Sequence, residues 1–280
     1  MGPEATESCG WSVNRRLVPT RPVTAKKTKS EEATRCRVKY CESQREPLED
    51  YLANRDFVSS SQLRRFARTG LTASRSHESS VVGETVMGEA FHSLVLEPHV
   101  FSQQYLVLDD TRGTQQVGSE VEAMQRHWLN AWQWSALCKG RDALLREQQA
   151  PVSQWLANGR KELSIYWGDP DNGFWKARPD CFTDTIVVDL KTTSDCRSAP
   201  FRRTRERFGY DLQAAHYVDA VSHLTGSEPR FAFLAVELST PYAVQVHELS
   251  AGELAAARKR LSALKRSYIA ATGPASRTSA

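Results

Sequence analysis

The sequence predicts an α/β (α+β) domain in which a mixed central β-sheet is flanked by helices. Two observations carry this prediction. Up to residue 160 the apolar residues recur mainly at helical spacing; from Lys161 come short apolar runs of strand length, separated by turn residues and two further helical patterns. The resulting order is helices, three strands, a helix, a strand pair and a helix, which layers helices on a sheet. With 280 residues, 40% hydrophobic and 25% charged, the chain is long enough for one domain with a sizeable core and extensions.

Residues 1–40 combine Thr, Ser, Pro and basic side chains with few large apolar residues, the composition of a basic, disordered tail. Between residues 13 and 40, nine Lys/Arg face two Glu, whereas the whole chain has a formal net charge of +4. The remainder is therefore net acidic, and a nucleic acid would have to be met through local basic patches. The tail reads either as a non-specific phosphate tether or as an inert extension. The folded domain is expected over residues 41–272, with a second tail at 273–280. Serines at 59–61 offer N-caps for a short helix carrying Leu63, Phe66 and Ala67. Residues 70–82 read as a loop. VGETVMGEAFHSLVLEP predicts a helix with Met87, Phe91, Leu94 and Val95 on one face, ending at Pro98. Residues 118–148 are helical in pattern, with Trp128, Trp132 and Leu137 supplying bulk, and Pro151 suits the first turn of another helix.

KELSIYWGDPDNGFWKARPD reads as two strands joined by a turn at 169–173, and TIVVDLK as a third. Residues 198–208 are polar and Arg-rich. GYDLQAAHYVDAVSHLTG is a helix closed by Gly226. RFAFLAVEL and YAVQVHEL are strands, and SAGELAAARKRLSALKRSYIAA is a final amphipathic helix capped by Ser250.

The third strand places charge where a β-core is being built. Side chains alternate along a strand, so Val187, Asp189 and Lys191 share one face and Ile186, Val188 and Leu190 the other. The apolar set can face a core while Asp189 and Lys191 point into a cleft. A turn at residues 183 and 184 would pair Asp180 with Val187. Asp180 and Asp189 would then be same-face diagonal neighbours about 7–8 Å apart. Converging carboxylates need a counter-cation, and hard oxygen ligands suit Mg²⁺, with Mn²⁺ as a substitute. Such an ion polarises a phosphoryl oxygen and acidifies a bound water. Lys191 would orient that water or stabilise charge on the phosphate. The competing reading of Asp-x-Lys on a strand is a surface ion pair.

RPD before the hairpin and DLKTT after it sharpen the picture. Together they resemble the PD-(D/E)XK nuclease superfamily, with Pro179 and Asp180 as the PD half and Asp189, Leu190 and Lys191 as the DXK half. Within it the chain resembles the exodeoxyribonuclease VIII (RecE-type) nuclease domain of phages and prophages. DFVSSSQLRRF is similar to that family's opening "S-x-S-x-L" helix and MGEAFHSLVLEP to its "G-x-x-x-H-x-L-x-L-E-P" helix. ELSIYW, KARPD, VVDLKTT, FGYDLQAAHY and FLAVELSTPYAVQVHEL follow in family order, over roughly residues 55–265. The resemblance implies a restriction-endonuclease-like core. It implies a metal site of His92, Asp180 and Asp189, with Lys191 catalytic and with Gln213 and Tyr217 from the "Q-x-x-x-Y" motif on one helix face. Glu162, the glutamate of an "E-x-S" strand, is implied as a further acidic neighbour or a plain surface position. Read without the family, a helical His92 is a structural residue.

The resemblance further implies Mg²⁺-dependent hydrolysis of double-stranded DNA from its ends, 5′ to 3′, leaving 3′ tails for recombination by annealing. It implies a single-strand annealing protein as partner, a ring-shaped homo-oligomer, and the cytoplasm of a bacterial host. Arg178, Thr192, Thr193, Arg202, Arg203 and Arg205 are placed to grip DNA phosphates near the site; a solvated charged loop is the alternative for the arginines. The rival readings are an endonuclease on the same core and a catalytically silent DNA-binding accessory protein. No apolar run approaches the ~20 residues of a membrane helix, and residues 1–30 lack the apolar stretch of a secretory signal. The six cysteines form no CxxC pair, so reduced thiols are expected rather than a zinc site; the clustered C-terminal cysteines that hold an iron–sulfur cluster in some related RecB-like nucleases are missing, so the resemblance implies no cluster. Cys181, inside the hairpin, suits a small buried position.

Overall fold

The computed structural model describes residues 40–74, 86–108, 127–148 and 150–273. The chain divides into two units, Met1–Cys36 and Arg37–Ala280, and every described residue belongs to the second. The predicted tails thus lie outside the described residues, apart from Tyr40 and Gly273. Eleven strands and nine helices form among the described residues. The chain opens with β1 (Tyr40–Gln44), α1 (Leu48–Ala53), β2 (Val58–Ser59) and α2 (Ser60–Ser74). Next come α3 (Val86–Leu96), α4 (Pro98–Gln104), β3 (Tyr105–Leu108), β4 (His127–Asn130), α5 (Ala131–Leu145) and α6 (Val152–Asn158). Then follow β5 (Arg160–Lys161), β6 (Ser164–Asp169), β7 (Gly173–Ala177), β8 (Cys181–Phe182) and β9 (Ile186–Thr192). The last elements are α7 (Ser198–Phe208), α8 (Tyr210–Thr225), β10 (Arg230–Val236), β11 (Val244–Glu248) and α9 (Ala251–Thr272).

The central sheet runs β11-β10-β9-β8-β5 and is mixed: β9 and β10 are parallel, the other neighbours antiparallel. A parallel pair needs a long crossover, and α7 and α8 supply it. Both faces of this sheet are buried, which is why β10 reads as a nearly unbroken apolar run and β9 as one interrupted only by Asp189 and Lys191 before its closing Thr192. Val187, Phe231, Phe233 and Ala235 face a core shared with Ala214, Val218 and Val221 of α8 and Leu63 of α2. Ile186, Val188, Leu190, Ala232, Leu234 and Val236 face the other side, against Phe91 and Leu94 of α3, Leu137 of α5 and Leu156 of α6. Asp189 and Lys191 lie on the α8 side, under cover: Asp189 is 0% and Lys191 9% exposed. The open cleft expected there is a buried site.

The three strands expected in succession in one central sheet are divided between two sheets. β6 and β7 form the predicted hairpin, with Asp169 opposite Gly173, but they join β1 and β2 in a four-stranded sheet of order β1-β6-β7-β2. Asp169 fixes the turn by accepting from the backbone N–H groups of Asp171 and Asn172. The break falls at Pro179, which has no N–H to donate to a ladder. The helix caps follow the sequence. Ser59 and Gln62 exchange hydrogen bonds ahead of α2, and Ser250 and Glu253 form a capping box on α9. Gly226 closes α8 in the left-handed conformation at φ 73°.

Other local readings need correction. α2 continues past residue 70 across a non-helical Gly70 at φ 67°, where a loop was expected; the rest of that loop lies outside the described residues. Pro98 starts α4 as well as closing α3. Residues 118–126 of the expected helix lie outside the described residues; within 127–148 the helix begins at Ala131, behind an Asn130–Gln133 capping box, and residues 127–130 are a strand parallel to β3. Trp128 and Trp132 are 46% and 66% exposed and supply no core bulk, unlike Leu137. Residues 198–208 form helix α7. No helix among the described residues is long and apolar enough to cross a membrane.

Candidate active site

The site is built where β8 stops and β9 continues. β8 pairs with β9 through Cys181 opposite Val188 and Phe182 opposite Val187. The turn is set by Thr183, whose N–H donates to the Ile186 carbonyl at 2.8 Å and whose Oγ1 accepts from the N–H groups of Thr185 and Ile186. The chain therefore turns at 184 and 185, not at 183 and 184. Extended by one residue, this register sets Asp180 opposite Asp189 rather than Val187. The shift is two residues, so both carboxylates remain on one face. Beyond Cys181 the peptide of Leu190 has no strand partner on this edge. Its N–H donates to Asp180 Oδ2 at 2.6 Å, and its carbonyl oxygen lies 2.6 Å from His92 Nε2. Two predicted site residues thus finish the hydrogen bonding of the sheet edge that carries them.

His92 reaches this point because α3 lies close to β9. Gly88 and Ala90 are buried small residues, and Phe91 and Leu94 anchor the helix in the core. His92 Nε2 is 3.5 Å from Asp180 Oδ2. Glu162 joins them from the bend between β5 and β6, where its N–H donates to the Asp180 carbonyl at 3.2 Å. One ligand atom each from His92, Glu162 and Asp180 lie within 4.8 Å of one another. Burial, above all, pushes the Asp180 carboxyl up to about 8; Asp189 and Glu162 add to the rise while His92 and Lys191 oppose it. Burial also raises Glu162, against the hydrogen bond from Arg178. An imidazole nitrogen, carboxylates and a free-edge carbonyl make a donor set that fits a divalent cation.

On the other side of the Leu190 peptide lies a second group. Lys191 Nζ is 2.5 Å from Asp189 Oδ2, and Gln213 Nε2 donates to Asp189 Oδ1 at 3.0 Å and to the Tyr217 hydroxyl at 3.0 Å. Gln213 and Tyr217 are one turn apart on α8, as the sequence spacing required. Burial works to lower Lys191, but Asp189 and Asp180 outweigh it and hold the ammonium above its ordinary value. Burial raises the Tyr217 phenol, so it stays protonated. The ammonium also lies 4.9 Å from the ring centre of Tyr210.

The structure thus brings His92, Glu162 and Asp180 into one cluster and Asp189, Lys191, Gln213 and Tyr217 into another, adjoining through Leu190. Both oxygens of Asp189 are engaged by Lys191 and Gln213, and Asp189 is not part of the donor cluster. The Lys191–Asp189 pair is buried, unlike a surface ion pair. Thr193 Oγ1 donates to the Asp195 carbonyl, and Thr192 is half-buried beside it. Arg202 and Arg203 are exposed on α7. Arg178 and Arg205 are not: Arg178 binds Glu162, and Arg205 binds Asp211 at 2.8 Å and Glu253 at 2.7 Å. Neither is an available phosphate grip. The sequence reading missed the Leu190 carbonyl, a backbone group without a sequence signal, and Tyr210, which aromatic type and nearness to Gln213 could have flagged.

Residues 59–273 match the family model of a PDDEXK-like domain of unknown function (DUF3799). The chain belongs to this family. The order of its motif segments, PD just ahead of β8 and DXK on β9, has a structural counterpart in the edge at Leu190. A solved structure of a candidate exonuclease from Eubacterium rectale is similar over 80% of this chain and 88% of that one, at 17% identity and a TM-score of 0.55. That likeness is one of fold. A phage related exonuclease from Haemophilus somnus 129PT aligns over 76% of this chain and 92% of that one at 14% identity, with a TM-score of 0.30. No curated protein matches the chain.

Proposed function

We propose that the protein is a Mg²⁺-dependent deoxyribonuclease that degrades one strand of duplex DNA from its ends, 5′ to 3′. The observation that supports it most is the convergence of His92, Asp180 and Glu162 donor atoms at the open edge of β9, next to a buried Lys191. His92, Asp180 and Glu162 would hold the cation, with the Leu190 carbonyl beside them and Asp189 adjoining as the partner of Lys191. When bound, the ion polarises a phosphate oxygen and acidifies water. The chain's own residues supply the rest. The Lys191 ammonium lies where negative charge develops on the phosphate, and the surrounding burial strengthens that interaction. Gln213 fixes the Asp189 carboxylate, and Tyr217 engages the same Gln213 amide, so both act as positioning residues. Arg202, Arg203, Thr192 and Thr193 face the DNA backbone without reading sequence.

Polarity, the 3′ tail, a single-strand annealing partner, a ring-shaped assembly and a bacterial cytoplasmic setting belong to the same proposal and rest on the sequence resemblance. The test is digestion of linear duplex labelled separately at its 5′ and 3′ ends, with closed circular duplex alongside, in Mg²⁺, Mn²⁺ and EDTA. The expected result is cation-dependent release of the 5′ label first and an intact circle. Cutting of the circle would replace exonuclease with endonuclease. DNA binding without nucleotide release in either metal would overturn the enzymatic reading.

A further inference from the structure

Arg178, which the sequence places beside the PD pair, is turned inward and is 8% exposed. Its Nε donates to Glu162 Oε2 at 2.7 Å, its Nη1 donates to the Glu46 carbonyl at 2.9 Å, and its Nη2 lies 3.7 Å from Glu97 Oε2. One guanidinium thus ties together the link ahead of α1, the junction of α3 with α4, and the bend after β5. Two of these segments adjoin the cation cluster. Glu97 follows the helix that carries His92, and Glu162 is itself a cluster member. Glu162 also holds φ 48°, a left-handed backbone that a residue with a side chain keeps only when its surroundings impose it. Two contacts impose it: the N–H bond to the Asp180 carbonyl and the side-chain bond to Arg178.

We infer that Arg178 is a positioning residue for the cation centre, holding the Glu162 carboxylate, and through it the cluster's third donor, against His92 and Asp180. A planar guanidinium with several fixed donors suits this better than an ammonium, because it can satisfy a carboxylate and a peptide carbonyl at once. The inference rests on reading the cluster as a cation site.

The test is calorimetric titration of Mn²⁺ and Mg²⁺ into the full chain without DNA, for the wild type, Arg178→Met, Arg178→Lys, Glu162→Gln and the double variant Arg178→Met/Glu162→Gln. Thermal melting in EDTA accompanies each titration. Arg178→Met is expected to weaken cation affinity by ~10–100-fold, the usual effect of losing an outer support of a metal site, and Glu162→Gln, which alters a donor itself, by at least as much. The double variant should bind no more weakly than Glu162→Gln alone, because Arg178 acts through that side chain. Arg178→Lys should recover part of the loss. If Arg178→Met does not fold, the same cycle is run with Arg178→Lys. Equal losses from the arginine change with and without Glu162, or wild-type affinity in Arg178→Met, would overturn the inference while leaving the site itself standing. A wild type that binds neither ion would instead overturn the proposed function.

Discussion

Replacing Asp180 with Asn should stabilise the cation-free protein at neutral and higher pH while removing its cation affinity. The carboxyl is 7% exposed and is held up to about 8, against 3.8 ordinarily, by burial first and then by Asp189 and Glu162. In the unfolded chain it ionises near 3.8. Between 3.8 and about 8 the native state therefore binds more protons than the unfolded state. Stability falls as pH rises through that window, and the cost is complete above about 8. At about 1.36 kcal/mol per pH unit, the ceiling at pH 7 is roughly 4 kcal/mol. Sharing of the proton among Asp180, Glu162 and His92 lowers this, and a net gain of about 1–3 kcal/mol is expected for Asp180→Asn. The amide keeps an oxygen for the Leu190 N–H, so the sheet edge remains closed. Urea unfolding in EDTA, followed by tryptophan fluorescence at pH 5 and pH 8, measures the effect. The variant's advantage should grow between the two. A variant less stable than wild type at pH 8, or a difference independent of pH, would refute the account of this carboxylate.

Three further substitutions test other parts of the structure. Lys191→Ala should reduce cleavage by at least ~10²-fold. It leaves Asp189 buried without its cation, so it should also cost about 3–5 kcal/mol in a denaturant titration; the substitution is not neutral for the fold, as an open cleft would have allowed. Gly159→Ala puts a Cβ 2.1 Å from Cys181 Sγ and 2.7 Å from the Trp155 carbonyl, and should lower stability by ~1–3 kcal/mol, read from the urea midpoint. Ser250→Ala removes the capping box of α9 and should cost ~0.5–2 kcal/mol in the same assay, with cleavage unchanged.

What the sequence disclosed depended on how local the cause was. The alternation along residues 186–192 correctly separated Leu190 from Asp189 and Lys191, because strand geometry alone decides it. The caps at Ser59 and Ser250 and the stop at Gly226 are equally local. The division of the strands into two sheets was not legible, since it depends on which partner β6 and β7 find, and β2, β5 and β8 are only two residues long. β4 was read as helix because its pairing with β3 is parallel and distant in sequence. The exposure of Trp128 and Trp132 is likewise a tertiary outcome. At the site, the identities of His92, Asp180, Asp189 and Lys191 were legible through the family resemblance. The inward turn of Arg178 and Arg205 was not, because a buried and an exposed arginine look alike until their acidic partners are placed.

The most direct test of the central claim is anomalous diffraction from crystals soaked in Mn²⁺. The account predicts a peak bounded by His92, Glu162, Asp180 and the Leu190 carbonyl at the edge of β9. A protein that cuts DNA in Mn²⁺ while its crystals show the ion elsewhere, with this cluster empty, would contradict it.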